Sequence, residues 1–223
     1  MPTFNDILGK HNLQSPILYG ISNRRAFPDL EPLSYLELLF QTRADIVQWR
    51  EKDLPAEQNR SFVQCGVRLA SETGKLFLVN SWFEVALEEK ADGAHLTSSQ
   101  DVGEARRVRD RFGARQSLLG KSVHTLSEAE RAEAEGVDYL LLGPIFDPLS
   151  KPSDRLPLGR SALQEAVQTL SIPVIAIGGI DESNFEEVFK TGAGGAAGIT
   201  WVQREVSALL GSRQTGRNPK SKI

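Results

Sequence analysis

Residues 137–146 read VDYLLLGPIF, and residues 172–180 read IPVIAIGGI. Each stretch contains four consecutive apolar residues, at 139–142 and at 174–177. A strand with one face in water alternates apolar and polar residues, whereas a strand of a parallel sheet is covered on both faces and is apolar throughout. These two stretches therefore predict buried parallel strands.

The same kind of short apolar run recurs along the chain, and a longer amphipathic stretch follows each run. The predicted strands are 17–22, 46–50, 76–80, 93–96, 117–121, 139–142, 174–177 and 196–200. The predicted helices lie near 34–44, 56–73, 82–90, 101–112, 126–135, 161–170, 183–190 and 202–210. A helix-capping pattern, Ser or Thr followed three residues later by Glu or Gln, opens four of them, at 34, 125, 161 and 183.

Eight strand–helix units in this length predict an α/β fold, a single (β/α)8 TIM barrel over residues 1–210. An open, doubly wound sheet is the alternative. Residues 211–223 contain four basic residues and no acidic one, which predicts a disordered basic tail.

Composition limits the class of protein. The 223 residues include 26 basic and 29 acidic ones, and a net charge of −3 gives no reason to expect a nucleic-acid partner. No apolar run approaches the ~18 residues that span a bilayer, and the first residues do not resemble a signal peptide. The single cysteine excludes a disulfide framework. We therefore expect a cytoplasmic protein with a small-molecule substrate, no membrane partner, and homo-oligomerisation left open.

In such a barrel, active-site residues lie at the C-terminal ends of the strands. Gln48, Arg50 and Lys52 alternate at one strand end, so we expect their side chains on one face. With Lys121 and with Lys151 of the long 143–160 loop, the cations at these ends outnumber the carboxylates, which indicates an anionic substrate.

Glycines 178 and 179 end the seventh strand, and more glycines run through residues 192–198. Loops after strands seven and eight commonly bind phosphate through free backbone amides. We predict that Gly178 and Gly179 bind phosphate; the alternative is that these glycines only permit tight turns.

Two histidines follow predicted strands. His124 is a candidate general acid/base because the ordinary histidine pKa is close to operating pH; the alternative is a packing role at the start of a helix. We expect His95 to be structural, since its neighbours in the sequence offer no catalytic partner.

Several segments together resemble the thiamine phosphate synthase/thiazole tautomerase superfamily, over residues 18–202. They are VQWREK at 47–52, LVN at 78–80 with ADGAHL at 91–96, GKSVHT at 120–125, VDYLLLGPIF at 137–146 and IPVIAIGGI at 172–180. The resemblance implies a (β/α)8 barrel that binds a thiazole phosphate, with the phosphate held by Gly179 and by the amides of Ile199 and Thr200. It also implies substrate contacts by Asn80, Ser122 and Lys151.

The two branches differ in chemistry. The synthase joins a pyrimidine diphosphate to the thiazole phosphate and expels pyrophosphate with the help of Mg²⁺. Its pattern has metal-binding aspartates where this chain has Ser81 and Gln100, although Asp101 and Asp147 lie nearby. A hard cation such as Mg²⁺ prefers carboxylate oxygens.

The tautomerase shifts a proton without a metal, and its Ser-x-His signature resembles Ser122-Val-His124. The sequence therefore favours a thiazole tautomerase with His124 as the catalytic residue, no metal site and no cofactor. The alternatives are a Mg²⁺-dependent synthase with an altered metal site, and a non-catalytic regulatory protein that binds thiazole phosphate.

Overall fold

The computed structural model describes residues 3–147 and 156–214. Within them, eight parallel strands close into a barrel in chain order. The strands are β1 (Ile17–Ile21), β2 (Ile46–Trp49), β3 (Leu76–Asn80), β4 (Gly93–Leu96), β5 (Leu118–Val123), β6 (Tyr139–Leu142), β7 (Val174–Ile177) and β8 (Gly195–Gly198). Closure is shown by the pairing of Ile17 with Gly195, which joins β1 to β8. The prediction of a (β/α)8 barrel is confirmed, and the open sheet is excluded.

Helices surround the barrel. They are α1 (Phe4–Lys10), α2 (Pro32–Leu39), α3 (Ala56–Thr73), α4 (Phe83–Glu88), α5 (Val102–Arg111), α6 (Leu126–Glu135), α7 (Gly159–Thr169), α8 (Phe185–Phe189) and α9 (Thr200–Gln214). Each of α2 to α9 follows a strand. No helix of the described ranges is long and apolar enough to cross a membrane. Because α9 continues to Gln214, residues 211–214 of the predicted tail are helical; residues 215–223 lie outside the described chain.

Only one of the four predicted caps is observed. The side chain of Thr125 accepts a hydrogen bond from the Glu128 amide at the start of α6. The patterns at 34 and 161 lie inside helices that begin earlier, and the pattern at 183 precedes α8, whose first residue is Phe185. Proline at the first position of α2 explains the earlier start there, because its fixed φ suits the first turn of a helix.

The helix α1 was not predicted. Thr3 and Asp6 form a reciprocal capping box at its start. Phe4, Ile7 and Leu8 are buried against residues that line the barrel interior, and the Phe4 ring centroid lies 5.2 Å from that of Tyr139, the first residue of β6. This helix therefore covers the interior at the N-terminal ends of the strands, opposite to the end where the loops carry the site.

An aspartate directly precedes each of three even-numbered strands: Asp45, Asp92 and Asp138. Each carboxylate accepts a backbone N–H from the preceding strand at 2.7 to 2.8 Å. The backbone amide of each aspartate also donates to the carbonyl of the strand residue whose N–H its carboxylate accepts. Before β8 the equivalent position is Gly194, which makes the backbone bond to Val174 but has no carboxylate.

Candidate active site

The even positions of β2 turn into the barrel, as their alternation predicted. Gln48 is buried inside, and its Nε2 donates to the Tyr19 hydroxyl at 2.6 Å. Trp49 faces outward, where its indole N–H donates to Asn59 of α3. Arg50 follows on the same side as Gln48, half-buried at the C-terminal mouth of the barrel.

Arg50 and Lys52 are two cations after the end of β2. The described residues offer neither side chain an ion pair or a hydrogen bond. The nearby carboxylates are engaged elsewhere: Glu51 accepts from the Ser22 hydroxyl and the Arg24 amide, and Asp53 contacts the Arg24 guanidinium. Burial raises the pKa of Glu51, and its two hydrogen bonds oppose that shift in part. The mouth therefore presents positive charge that Glu51 and Asp53 do not neutralise. Lys52 is exposed on the loop after β2.

Asn80 ends β3 and is 5% exposed. Its Oδ1 accepts a hydrogen bond of 2.8 Å from the hydroxyl of Ser81. Ser81 has a φ of +73°, in the left-handed region that non-glycine residues rarely adopt. Sparsely populated backbone conformations of this kind cluster at ligand sites. The described residues give the Asn80 amide nitrogen no partner, so it is available to a ligand.

A chain of buried hydrogen bonds crosses the barrel beneath the mouth. The Tyr19 and Tyr139 hydroxyls lie 3.0 Å apart, and the Tyr139 hydroxyl lies 3.1 Å from His95 Nδ1. His95 Nε2 lies 2.8 Å from the Ser122 hydroxyl. Together with Gln48, these residues join five strands, β1, β2, β4, β5 and β6. This floor of the site was not predicted from the sequence.

His95 lies at the centre of that floor. It is 1% exposed, and burial, with the positive charges of Arg50 and Lys121, lowers its pKa to about 3. The prediction that His95 is structural was based on its neighbours in the sequence. Its hydrogen-bond partners in the structure come instead from adjacent and facing strands. Alternation within each strand was the available signal, because it places Tyr19, Gln48, His95, Ser122 and Tyr139 all on the interior side.

His124 follows β5 and lies beside the end of β6. Its Nδ1 is 2.6 Å from the Gly143 carbonyl oxygen, and its backbone amide donates to Glu128. Because a carbonyl oxygen only accepts, Nδ1 carries the hydrogen and Nε2 of the neutral ring carries the lone pair. This arrangement suits a general base at Nε2.

Lys121 does not belong to the mouth. It alternates with the inward-facing Ser122, and its ammonium group donates to the carbonyl of Gln100 in the loop between β4 and α5. The prediction that Lys121 is a site cation was wrong because the predicted fifth strand ended at 121, whereas the strand continues to Val123. Burial lowers its pKa.

Gly178 and Gly179 require their glycine identity. Their φ values are +94° and +65°. A Cβ on Gly178 would lie 2.6 Å from Pro144 Cα, and a Cβ on Gly179 would lie 2.3 Å from the carbonyl oxygen of Asp147. These glycines thus permit close packing against the segment after β6. Phosphate binding by their backbone stays a prediction.

The start of α9 lies beside these glycines, because β7 and β8 are neighbours in which Ile177 pairs with Ala197. The first helical hydrogen bond recorded there runs from the Gln203 amide to the Ile199 carbonyl. The amides of the first helical residues, beginning with Thr200, have no intrahelical partner and are oriented to bind an anion. Ile199 and Thr200 are half-buried at this point. The predicted phosphate residues are therefore close together. Lys151 lies outside the described residues.

Several of the candidate Mg²⁺ ligands are engaged by hydrogen bonds within the protein. The Ser81 hydroxyl is bonded to Asn80, Gln100 Oε1 accepts from the Thr97 amide, and Asp101 Oδ1 accepts from the Glu104 amide. Among residues 3–147 and 156–214, no group of three or more His, Cys, Asp or Glu side chains could hold a metal ion.

Comparison with known proteins agrees with the geometry. The family described as thiamine monophosphate synthase matches residues 18–202. A thiamine-phosphate synthase of Roseiflexus sp. (strain RS-1) is 35% identical over 83% of this chain and 78% of its own length. A putative thiamine-phosphate synthase 2 of Aquifex aeolicus is 34% identical over 84% of this chain and 98% of its own. The solved structure of thiamine phosphate pyrophosphorylase from Pyrococcus furiosus superposes with a TM-score of 0.73 at 29% identity, covering 87% of this chain and 96% of that chain. The chain therefore belongs to the thiamine monophosphate synthase family and is an enzyme of thiamine biosynthesis.

Proposed function

We propose that this enzyme couples a pyrimidine diphosphate to a thiazole phosphate and releases pyrophosphate. The lone pair of the thiazole nitrogen forms a C–N bond to the pyrimidine methylene carbon. The C–O bond to the diphosphate breaks, and pyrophosphate leaves with that electron pair. The relatives named above support this synthase reaction over the tautomerase reaction that the sequence analysis favoured.

The observation that carries the proposal is the presence of two separate anion-binding features in one mouth. Arg50 and Lys52 lie after β2, and the glycine turn and free amides lie after β7 and at the start of α9. A coupling reaction between two phosphorylated substrates needs two such features, one for each substrate, and the relatives named above favour coupling over a tautomerisation of a carboxylate phosphate. In this proposal the cations hold the diphosphate and stabilise the charge that develops on the leaving pyrophosphate.

Substrate-binding roles follow from the same arrangement. Asn80 ends β3 and Ser122 lies in β5, on strands that stand between β2 and β7 in the order of the barrel, and Gln48 is buried inside it. The roles above belong to the chain's own residues, and no step is assigned to a metal.

The coupling reaction is tested with the purified protein and both substrates, with thiamine phosphate and pyrophosphate measured together in MgCl₂ and in EDTA. We expect the two products in equal amounts. Thiazole phosphate that binds without any product would favour the non-catalytic binder, and absence of product in every condition contradicts the synthase proposal.

Tautomerisation remains a second candidate because of one observation, the orientation of His124: Nδ1 faces the Gly143 carbonyl oxygen, and the part of the chain that the structure describes offers Nε2 no partner. A tautomerase reaction needs such a base and no metal. The test is turnover of the thiazole carboxylate phosphate tautomer by the wild type and by His124→Ala. Turnover that depends on His124, together with no coupling, would favour the tautomerase; turnover by neither protein would remove it.

A further inference from the structure

The floor of the site is constructed to hold the Tyr139 ring in place. Tyr139 is fully buried, and its hydroxyl lies within 3.1 Å of both Tyr19 and His95. Its ring lies against Gly120, where a Cβ would come within 2.0 Å of the ring. Only glycine leaves this space, so the contact between Tyr139 and His95 depends on a residue of β5 as well.

The order of donors along the floor can be worked out from one end. The Gln48 amide nitrogen can only donate, so the Tyr19 oxygen accepts, and the Tyr19 hydrogen is then directed to Tyr139. The Tyr139 hydroxyl in turn donates to His95 Nδ1. A neutral imidazole has one N–H, so His95 Nε2 donates to Ser122 Oγ. The neutral form is the relevant one, since burial lowers the pKa of His95 to about 3.

This order of donors determines the direction of the hydroxyl hydrogen of Ser122, the last member of the hydrogen-bond chain. Because Ser122 accepts from His95, its own hydrogen is free to point into the mouth, where the unpaired Arg50 marks the place of an anion. We propose that this hydrogen-bond chain is polarised from Gln48 to Ser122, that it holds the Ser122 hydroxyl as a donor to an anionic oxygen of the substrate, and that Tyr139 and His95 are positioning residues.

The identity of the anion as a phosphate or diphosphate oxygen rests on the proposed function; the direction of the chain does not. Reversal of the Gln48 amide would reverse every bond, put the hydrogen of His95 on Nδ1, and make Ser122 a donor to His95 instead. The tautomer of His95 therefore distinguishes the two directions.

The direct test is a long-range ¹H–¹⁵N correlation spectrum of the labelled full-length protein at neutral pH. The protein has three histidines, so the variants His11→Gln and His124→Gln suffice to assign the signals of His95. We expect the Nε2–H tautomer alone in the wild type and an admixture of Nδ1–H in Tyr139→Phe. Tyr35→Phe is the control, because the Tyr35 hydroxyl accepts from the Asn23 amide and is not part of the hydrogen-bond chain. An Nδ1–H tautomer, or a mixture, in the wild type would overturn the proposal.

A second measurement addresses Ser122. Titration calorimetry with inorganic pyrophosphate should show a loss of affinity of about tenfold or more in Ser122→Ala, as expected for a hydrogen bond to a charged group. Tyr139→Phe should also weaken binding although Tyr139 is fully buried, because Ser122 can then donate to His95. Unchanged affinity in Tyr139→Phe, in a variant shown to be folded by circular dichroism, would overturn the positioning role. If the wild type binds no pyrophosphate, the proposed function fails, and the His95 tautomer still decides the direction of the chain.

Discussion

At the scale of single residues, the unpaired state of Arg50 depends on where its neighbouring carboxylates point. Glu51 is 4% exposed and is held by the Ser22 hydroxyl and the Arg24 amide, and Asp53 is occupied by Arg24 and Arg25. Two acidic residues therefore stand next to two cations in the sequence without neutralising them. This explains why net charge was a poor guide to the ligand and why local geometry is informative.

Arg50→Gln should weaken pyrophosphate binding by about tenfold or more, since a charge-assisted contact is lost from a partly buried site. Arg25→Gln is the matched control because Arg25 is exposed and lies 3.5 Å from Asp53. Calorimetry on both variants gives the comparison. Equal losses in the two variants would show that only general positive charge matters.

Gly179→Ala should destabilise the fold by about 2 kcal/mol or more, because it combines a positive φ with a severe backbone contact. Gly113 has a nearly identical φ of +63°, and a Cβ there meets nothing within 4 Å. Gly113→Ala should cost only the strain of the left-handed conformation, about 1 kcal/mol. Urea unfolding measures both free energies; equal costs would argue against close packing at Gly179.

The buried His95 should make stability depend on pH. Its folded pKa of about 3 lies below the ordinary value of 6.5, so below pH 6.5 the unfolded chain binds a proton that the folded protein does not. The free energy of unfolding should therefore fall by about 1.4 kcal/mol for each pH unit below that value. Urea unfolding at pH 6.5 and pH 5 should show a steeper loss in the wild type than in His95→Gln. Parallel losses would mean that His95 is protonated in the folded protein.

At the scale of elements, the aspartates before β2, β4 and β6 form a repeated clamp between neighbouring strands. Asp45, Asp92 and Asp138 each bind both backbone groups of one residue in the preceding strand. The fourth position, Gly194, makes only the backbone half of the clamp. The β7–β8 pair therefore lacks the carboxylate that joins β1 to β2, β3 to β4 and β5 to β6.

Gly194→Asp should restore this clamp by accepting the Val174 N–H and should stabilise the protein by about 1 kcal/mol. The new Cβ would lie 3.2 Å from Pro173 Cβ, a tight contact that requires a small adjustment. Gly194→Ala carries the same Cβ without the carboxylate and is the control. If urea unfolding finds the aspartate variant no more stable than the alanine variant, the clamp does not transfer to β8.

The element α1 shows the limit of pattern reading. It is seven residues long, and its capping box has Asp6 at the position where the usual pattern has Glu or Gln. It follows no strand, so the strand–helix rhythm that located the other helices gave no expectation for it. Its burial comes from the barrel interior, against residues such as Tyr139 that are distant in the sequence.

At the scale of the whole molecule, the barrel could be predicted because strands such as β6 and β7 are apolar on both faces and recur in a strand–helix rhythm, which are local properties. Strand alternation also placed Gln48 on the inner side correctly. The floor around His95 could not be predicted, since its contacts join residues up to 120 positions apart and depend on the closure of the barrel. The mistaken placement of Lys121 came from a strand end drawn two residues short, before Val123. Errors in the predicted ends of strands thus affected the predicted site more than the choice of residue types did.

The account as a whole depends on two anion sites that are occupied together. The most direct measurement is a calorimetric titration of inorganic pyrophosphate into the enzyme already saturated with thiazole phosphate. The account predicts that pyrophosphate still binds, with one equivalent per chain, and that Arg50→Gln weakens this event while leaving thiazole phosphate binding intact. Competition between the two ligands for a single site would contradict it.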